Sequence, residues 1–213
     1  MNSSSCTLRA SLTKRWRRFL VDWSKESVAR LRENNGLRNQ EHYFKFGIVY
    51  SEAGIYSPTF RLSCGQVFAK ASPCIFINES YGSTTEFLGL LSASLSRYLF
   101  KNYINHSVHT VMSDIEEFAF PRAFNGCSEE SIDKLVSSII SNQKSNPRYN
   151  YMTNEQVEID RLVYQMYNLN DEDVREVEDW FFRRYPRLAR VIEGKRRGVS
   201  HPHPAPLPDG EGK

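Results

Sequence analysis

Tyr43-Phe44-Lys45-Phe46-Gly47-Ile48-Val49-Tyr50 breaks the helical period of the chain before it. Its alternate residues Phe44, Phe46, Ile48 and Tyr50 share one face of an extended strand. Core packing is the expected role of Phe44, Phe46 and Ile48. Ser51-Glu52-Ala53-Gly54 then turns the chain. Short strand-like runs follow at Thr59–Ser63, Gln66–Ala69 and Cys74–Asn78, with Cys64-Gly65 and Ser72-Pro73 as turn signals between them. Such a succession predicts a small antiparallel or mixed sheet.

Beyond it, Ser83-Thr84-Thr85-Glu86 is a capping box, in which hydroxyl and carboxylate satisfy the first free amides of a helix. Phe87, Leu91, Leu95 and Leu99 are four apart behind it, which predicts one long helix over 84–104. Gly89, Ser92, Ala93 and Ser96 lie between them and permit close packing. Val108 to Met112 is strand-like again, and Pro121 closes the segment.

Outward from this centre both ends read as helix. Trp16, Leu20 and Trp23 lie at helical spacing with Arg15, Arg17 and Arg18 around them, so Leu12–Leu31 reads as a basic helix stopped by Asn34-Asn35-Gly36. On the other side, Ser128 caps a helix with the stripe Ile132, Leu135, Val136, Ile139 and Ile140. Asn146-Pro147 breaks it. Thr153 with Gln156 forms a second capping box ahead of Ile159, Leu162 and Val163. Asn170, followed by Asp171, Glu172 and Asp173, starts a third helix with acids at its positive end. Val174, Val177 and Phe181 form its stripe, and Tyr185-Pro186 ends it. The expected architecture is α+β: a loose N-terminus over 1–14, then one domain over 15–193. Its sheet part is 43–120, packed by a long helix, and its helical part 128–190. The Pro-rich stretch 194–213 cannot bury a core and reads as a disordered tail.

Of 213 residues, 40% are hydrophobic and 25% charged, which excludes collagen-like and wholly disordered classes. No run approaches about 18 apolar residues, so no membrane span is expected. With no apolar leader segment, a cytoplasmic location is expected. Cys6, Cys64, Cys74 and Cys127 lack zinc-type spacing and read as free thiols. The net charge of +3 is unevenly placed, because residues 1–45 carry ten Lys/Arg against four Asp/Glu. Such a field suits a polyanionic partner, although a solvated basic helix would also produce it.

Most enzyme signatures are missing. There is no nucleophile elbow, no phosphate loop and no dinucleotide fingerprint. His106 and His109 are three apart without an acidic or thiol ligand cluster, so strand-edge histidines are the simpler reading. Asn146-Pro147-Arg148-Tyr149 imitates the loop with which adenine-N6 methyltransferases hold an extruded base. Arg148 interrupts that motif and a short amphipathic helix precedes it, so it reads as a linker.

Several stretches, taken in order, carry a resemblance. They are Leu37-Arg38-Asn39, Tyr43-Phe44-Lys45 to Gly47-Ile48-Val49-Tyr50-Ser51, Phe60-Arg61-Leu62 and Phe87-Leu88-Gly89-Leu90-Leu91-Ser92-Ala93. Asn105-His106-Ser107-Val108-His109 with Ser113-Asp114-Ile115 follows, and last Ile159 to Leu169. Together, over about residues 15–190, they resemble the C-terminal target-recognition (specificity) region of large adenine-specific DNA methyltransferases. The nearest types are those of the BREX phage-exclusion system and of type IIG restriction–modification. The resemblance implies sequence recognition of double-stranded DNA, serving adenine-N6 methylation by a catalytic part that this chain lacks. It implies a truncated or split-gene fragment, inactive alone, whose partners are double-stranded DNA and a separate catalytic subunit. S-adenosylmethionine would belong to that subunit only, and this chain would hold no cofactor, no metal and no catalytic residue. The DNA-contacting positions it points to are Tyr43, Lys45, Tyr50, Ser51, Arg61 and His109, with Arg15, Arg17 and Arg18 supplying phosphate contacts. Lys45 and Arg61 are expected to point outward, since strand cations beside apolar neighbours usually do.

A rival reading of a different class is a protein-interaction scaffold, docking through helices 128–188 and touching no DNA. An independent hydrolase is disfavoured, because no nucleophile–base or metal set is visible.

Overall fold

The computed structural model describes residues 22–34, 36–68, 71–78, 80–121 and 129–196. Among them the chain forms an α+β fold. Three strands, β1 (Phe46–Tyr50), β2 (Phe60–Cys64) and β3 (Cys74–Ile75), make one antiparallel sheet in the order β2-β1-β3. Eight helices accompany it: α1 (Lys25–Glu33), α2 (Thr84–Ser92), α3 (Ser94–Leu99), α4 (Met112–Glu116), α5 (Glu129–Ser145), α6 (Glu155–Met166), α7 (Asp171–Arg184) and α8 (Pro186–Arg196). The expected class holds, with an antiparallel sheet.

The sheet is smaller than the alternation suggests. Tyr43–Lys45 is not strand, because Phe44 takes a left-handed conformation (φ 62°) and donates its amide to the Gln66 carbonyl at 3.1 Å. Ile48 then faces Leu62 and Ile75, and Tyr50 faces Phe60, on the side that α2 covers. Residues 66–68 form no strand, and the run from Cys74 pairs over two residues only. At 108–112 the expected strand reduces to a single bridge between Ala53 and His109. There Asp114 accepts the Val111 amide at 2.8 Å and so starts the short helix α4 in its place.

Of the expected basic helix over Leu12–Leu31, the described part is helical from Lys25. Ser24 caps α1 by accepting the Ser27 amide at 3.3 Å, and Asp22 accepts from Ser24 N at 2.9 Å. Trp23 therefore precedes the helix rather than lying on its stripe. Residues 1–21, with the rest of that stripe, fall outside the described residues, as do Ser128, the loose N-terminus and the tail beyond 196.

The capping box at Ser83 forms as expected: Ser83 Oγ accepts from Glu86 N at 3.1 Å and Glu86 Oε2 from Ser83 N at 2.6 Å. The helix it starts does not run unbroken to 104. Ala93 is extended (φ −66°, ψ 156°), and α3 restarts at once, passing into a π-helical turn over Phe100–Ile104. The break has a partner on another helix. Asp160 of α6 accepts both Ser94 N and Ser94 Oγ at 2.8 Å, and Gln156 Nε2 at 3.1 Å. A carboxylate at the positive end of α3 caps it from outside, which local sequence alone cannot reveal.

α2 lies between the sheet and helices α5 and α6, and is buried from Glu86 to Leu91. A Cβ placed on Gly89 would stand 2.6 Å from Ile132 Cγ2 and 3.1 Å from Val136 Cγ2. The absent side chain sets how closely α2 and α5 approach. Across the sheet side, Tyr50, Phe60, Phe100, Phe118, Phe120 and Phe87 form a continuous series of ring contacts that ties strand to helix.

The C-terminal helices follow their stripes. Ile132, Val136 and Ile139 of α5, Ile159, Leu162 and Val163 of α6, and Val177 and Phe181 of α7 are buried. Asn170 caps α7 with a full box to Asp173. At α6 the cap position is Asn154 rather than Thr153. One helix was not expected: Tyr185 ends α7, and Pro186, free of the need to donate an amide, begins α8, which runs through Gly194 to Arg196. The domain therefore extends past 193. Tyr185 also ties back to the sheet loop. Its hydroxyl lies 2.9 Å from Ser57 Oγ and accepts Ser57 N at 3.3 Å, while Arg184 Nη2 donates to the Ile55 carbonyl at 2.8 Å.

Gly89→Ala should lower stability by about 1–3 kcal/mol despite alanine's better helix propensity, because the branched Ile132 offers no flexible end to move aside. Urea unfolding measures this, and an unchanged midpoint would show that α2 and α5 can separate freely. At Asp160, burial pushes the carboxyl above its ordinary value, against the opposing hydrogen bonds of Ser94 and Gln156 and the charge of Arg97. The folded state thus holds that proton more tightly than the unfolded chain. Stability from this group falls as pH rises from the ordinary carboxylate range through the raised value. Asp160→Asn should gain relative to the native chain as pH climbs from below 4 toward 7, in urea titrations repeated across that range.

Candidate nucleic-acid interface

The positions singled out in the sequence fall into separate places. Tyr43 and Lys45 stand where the chain enters β1, and Ser51 and His109 stand where it leaves, on the paired loops 51–55 and 108–111. Those loops are held together by the Ala53–His109 bridge and by Thr110 N donating to the Glu52 carbonyl at 2.7 Å. Arg15, Arg17 and Arg18 lie outside the described residues.

Tyr50 is not available to a ligand. Its side chain is fully buried against Phe60, and its hydroxyl has no hydrogen-bond partner. Burial, with Asp114 and Glu52 nearby, pushes its pKa up to about 12. The strand places it on the α2 side, where the core is. Arg61 belongs to the other face, opposite Val49. Gly47, Val49 and Ser63 on that face are buried, and Arg61 itself is only half-exposed, so burial pulls its pKa down. The expectation that both cations point outward therefore holds fully for Lys45, which is exposed, and less for Arg61.

His109 is exposed, and its backbone carbonyl accepts from Asn105 Nδ2 and Ser107 Oγ. Asn105 also donates to Asp114, and Lys101 Nζ donates to the Ser107 carbonyl at 2.7 Å. This network shapes the loop. His106 turns its Nδ1 to the Lys101 carbonyl at 2.7 Å rather than toward a shared metal position with His109. Among the described residues no group of three or more His, Cys, Asp or Glu could hold a metal ion. Cys74 is a free thiol, and burial pushes its pKa up to about 12, so it is poorly reactive.

The Asn146–Tyr149 look-alike is a turn. Asn146 Oδ1 accepts the Arg148 amide at 3.1 Å, and Tyr149 OH donates to Glu155 at 2.6 Å. Its ring serves the α5–α6 connection and packs on the core.

The most exposed feature near the site was not read from the sequence as a surface. Phe46 is 70% exposed, Phe44 52% and Trp23 40%. Trp23 meets Phe44 edge to face at 5.3 Å and Tyr43 at 6.0 Å. The signal was present in Lys45: a cation between two phenylalanines fits a strand end that runs out beyond its covering helix. A second apolar area, Ile55, Tyr56, Val108, Val111 and Met112, lies on and beside the paired loops.

Comparison with protein-family models, curated proteins and solved structures gives no match. Among the described residues, no helix is long and apolar enough to cross a membrane.

Tyr50→Phe removes a buried hydroxyl that has no partner, so it should leave stability unchanged or raise it by about 1–2 kcal/mol. Thermal melting tests this. A clear loss of stability would mean that the hydroxyl is held by a buried water.

Proposed function

We propose that this chain is a target-recognition module for double-stranded DNA, of the kind that serves adenine-N6 methylation, acting in the cytoplasm. The methyl transfer, with its S-adenosylmethionine, would reside in a separate catalytic subunit. One observation supports the reading above others: the stretches that carry the resemblance, far apart in the chain, meet each other. The 43–51 and 60–62 stretches pair as β1 and β2, and the 105–109 stretch bridges to Ala53 just after Ser51. The 159–169 stretch supplies Asp160 to Ser94, directly after the 87–93 stretch. One connected body is what a single recognition module would require.

In this reading the basic segment at the start supplies sequence-independent phosphate contacts, and Lys45 and Arg61 approach the grooves. His109 and Ser51 contribute from the opposite end of β1. The exposed area around Ile55, Val108 and Val111 is where a catalytic subunit would sit. That same area would also suit a protein-interaction scaffold without DNA contact, docking through these loops rather than through helices 128–188, since exposed apolar patches commonly mark interaction sites.

A salt series of duplex binding separates the two. Replacing Arg15, Arg17 and Arg18 together by Ala should weaken binding to all duplexes alike and flatten the dependence of log K on log salt by roughly three phosphate contacts. No duplex binding by the native chain, or an unaltered slope in the triple variant, would favour the scaffold.

A further inference from the structure

The rings at the entry to β1 form a surface that the core does not use, beside Tyr43 and Lys45 of the duplex reading. Tyr43 is half-buried and contacts Trp23, Phe44 and Phe68. Phe68 meets Phe76, and Phe76 stacks on His42 at 4.9 Å. Trp23 and Phe44 project from this base, and Phe46, two residues on in the chain, is exposed at the start of β1. Because Trp23 and Phe44 meet at 88°, that contact leaves ring faces uncovered.

Phe44 is held in this position against its preference. A non-glycine residue at φ 62° is strained, by about 1–2 kcal/mol, and a bulky aromatic there is unusual. Glycine would satisfy the turn without cost, yet the position carries a ring that is half-exposed to water. Strain of this kind commonly accompanies function.

The surroundings say what such rings would meet. Lys45, exposed, lies between Phe44 and Phe46 in the chain. Residues 1–21 carry five Lys/Arg and no Asp/Glu, and they enter the described structure at Asp22-Trp23, directly at this surface. Flat π faces, with Lys45 beside them and a basic stretch preceding Asp22 in the chain, fit a single nucleic-acid strand, whose unpaired bases stack on rings while its phosphates meet cations. A paired duplex keeps its bases stacked on each other and offers these rings nothing comparable.

We infer that Trp23, Phe44 and Phe46 form a stacking platform for unpaired DNA bases, engaged when a strand is single or locally opened. The inference rests on the DNA-binding reading above and adds to it a strand form that duplex recognition does not require.

Fluorescence polarisation with a labelled oligothymidylate, a perfect duplex and a duplex carrying a single-stranded gap tests it. Phe44→Gly removes the ring and relieves the backbone together, so its melting temperature should stay level or rise, while oligothymidylate affinity falls by about tenfold or more. Phe46→Ser, at an exposed ring, should show the same loss with an unchanged melt. Both variants should keep the native affinity for the perfect duplex, and the native chain should prefer the gapped duplex. Oligothymidylate binding by both variants at native strength would overturn the inference. So would a native dimer in sedimentation that Phe46→Ser dissociates, since the rings would then cover a second copy. Duplex binding without any single-strand preference removes the platform alone. Strand binding without duplex binding removes the recognition module and keeps the platform.

Discussion

The approach of α2 to α5 at Gly89 is the constraint on which the rest of the fold depends. α2 is apolar almost all round, and one helix therefore forms the floor of the sheet and the wall of the helical part at once. The missing side chain brings Ile132 and Val136 within contact of its backbone. That closeness puts Ile159 of α6 within reach as well, and α6 in turn presents Asp160 to the start of α3. Sheet and bundle share one core because of it, rather than existing as two bodies joined by a linker.

The break at Ala93 follows from the same geometry. A helix continuing from 84 to 104 would leave a carboxylate of α6 facing backbone with no free amides. By restarting at Ser94, the chain exposes the amides of a new helix to Asp160 and satisfies a charged group that is largely removed from water. Ser96 Oγ closes the gap further by donating to the Leu90 carbonyl. The cost of interrupting a helix is offset by satisfying a group that otherwise would be expensive to bury.

Much of this was legible in the chain, and the rest failed for identifiable reasons. The stripes of α5, α6 and α7, the capping box at Ser83, the helix start at Asn170 and the existence of a small sheet follow from periodicity and local hydrogen-bonding chemistry. The break at Ala93 did not, because its cause lies 66 residues away in Asp160. α8 was missed because Pro186 reads equally as a stop and as a first helical position. The strand at 108–112 gave way to a local bond from Asp114, which competes with pairing over so short a run. At the site, period two assigns Phe44, Phe46, Ile48 and Tyr50 to one side but carries no information on how far the covering helix extends. Ile48 and Tyr50 lie beneath it, and Phe46 lies beyond its reach. Tyr50 was thus lost as a contact residue for the same reason that Phe46 was gained as a surface.

The bond between Tyr185 and Ser57 links positions 128 residues apart. During synthesis, the loop after β1 emerges long before the group that fastens it. At ribosomal rates of roughly 5–20 residues per second, the interval is on the order of ten seconds. For that time the exit loop is held only by its bridge to His109 and lacks the bond from Tyr185. The last two helices are therefore more than a late addition to a finished domain. They act as a latch on that loop, and a nascent chain stalled before Tyr185 would leave it unfastened at Ile55 and Ser57.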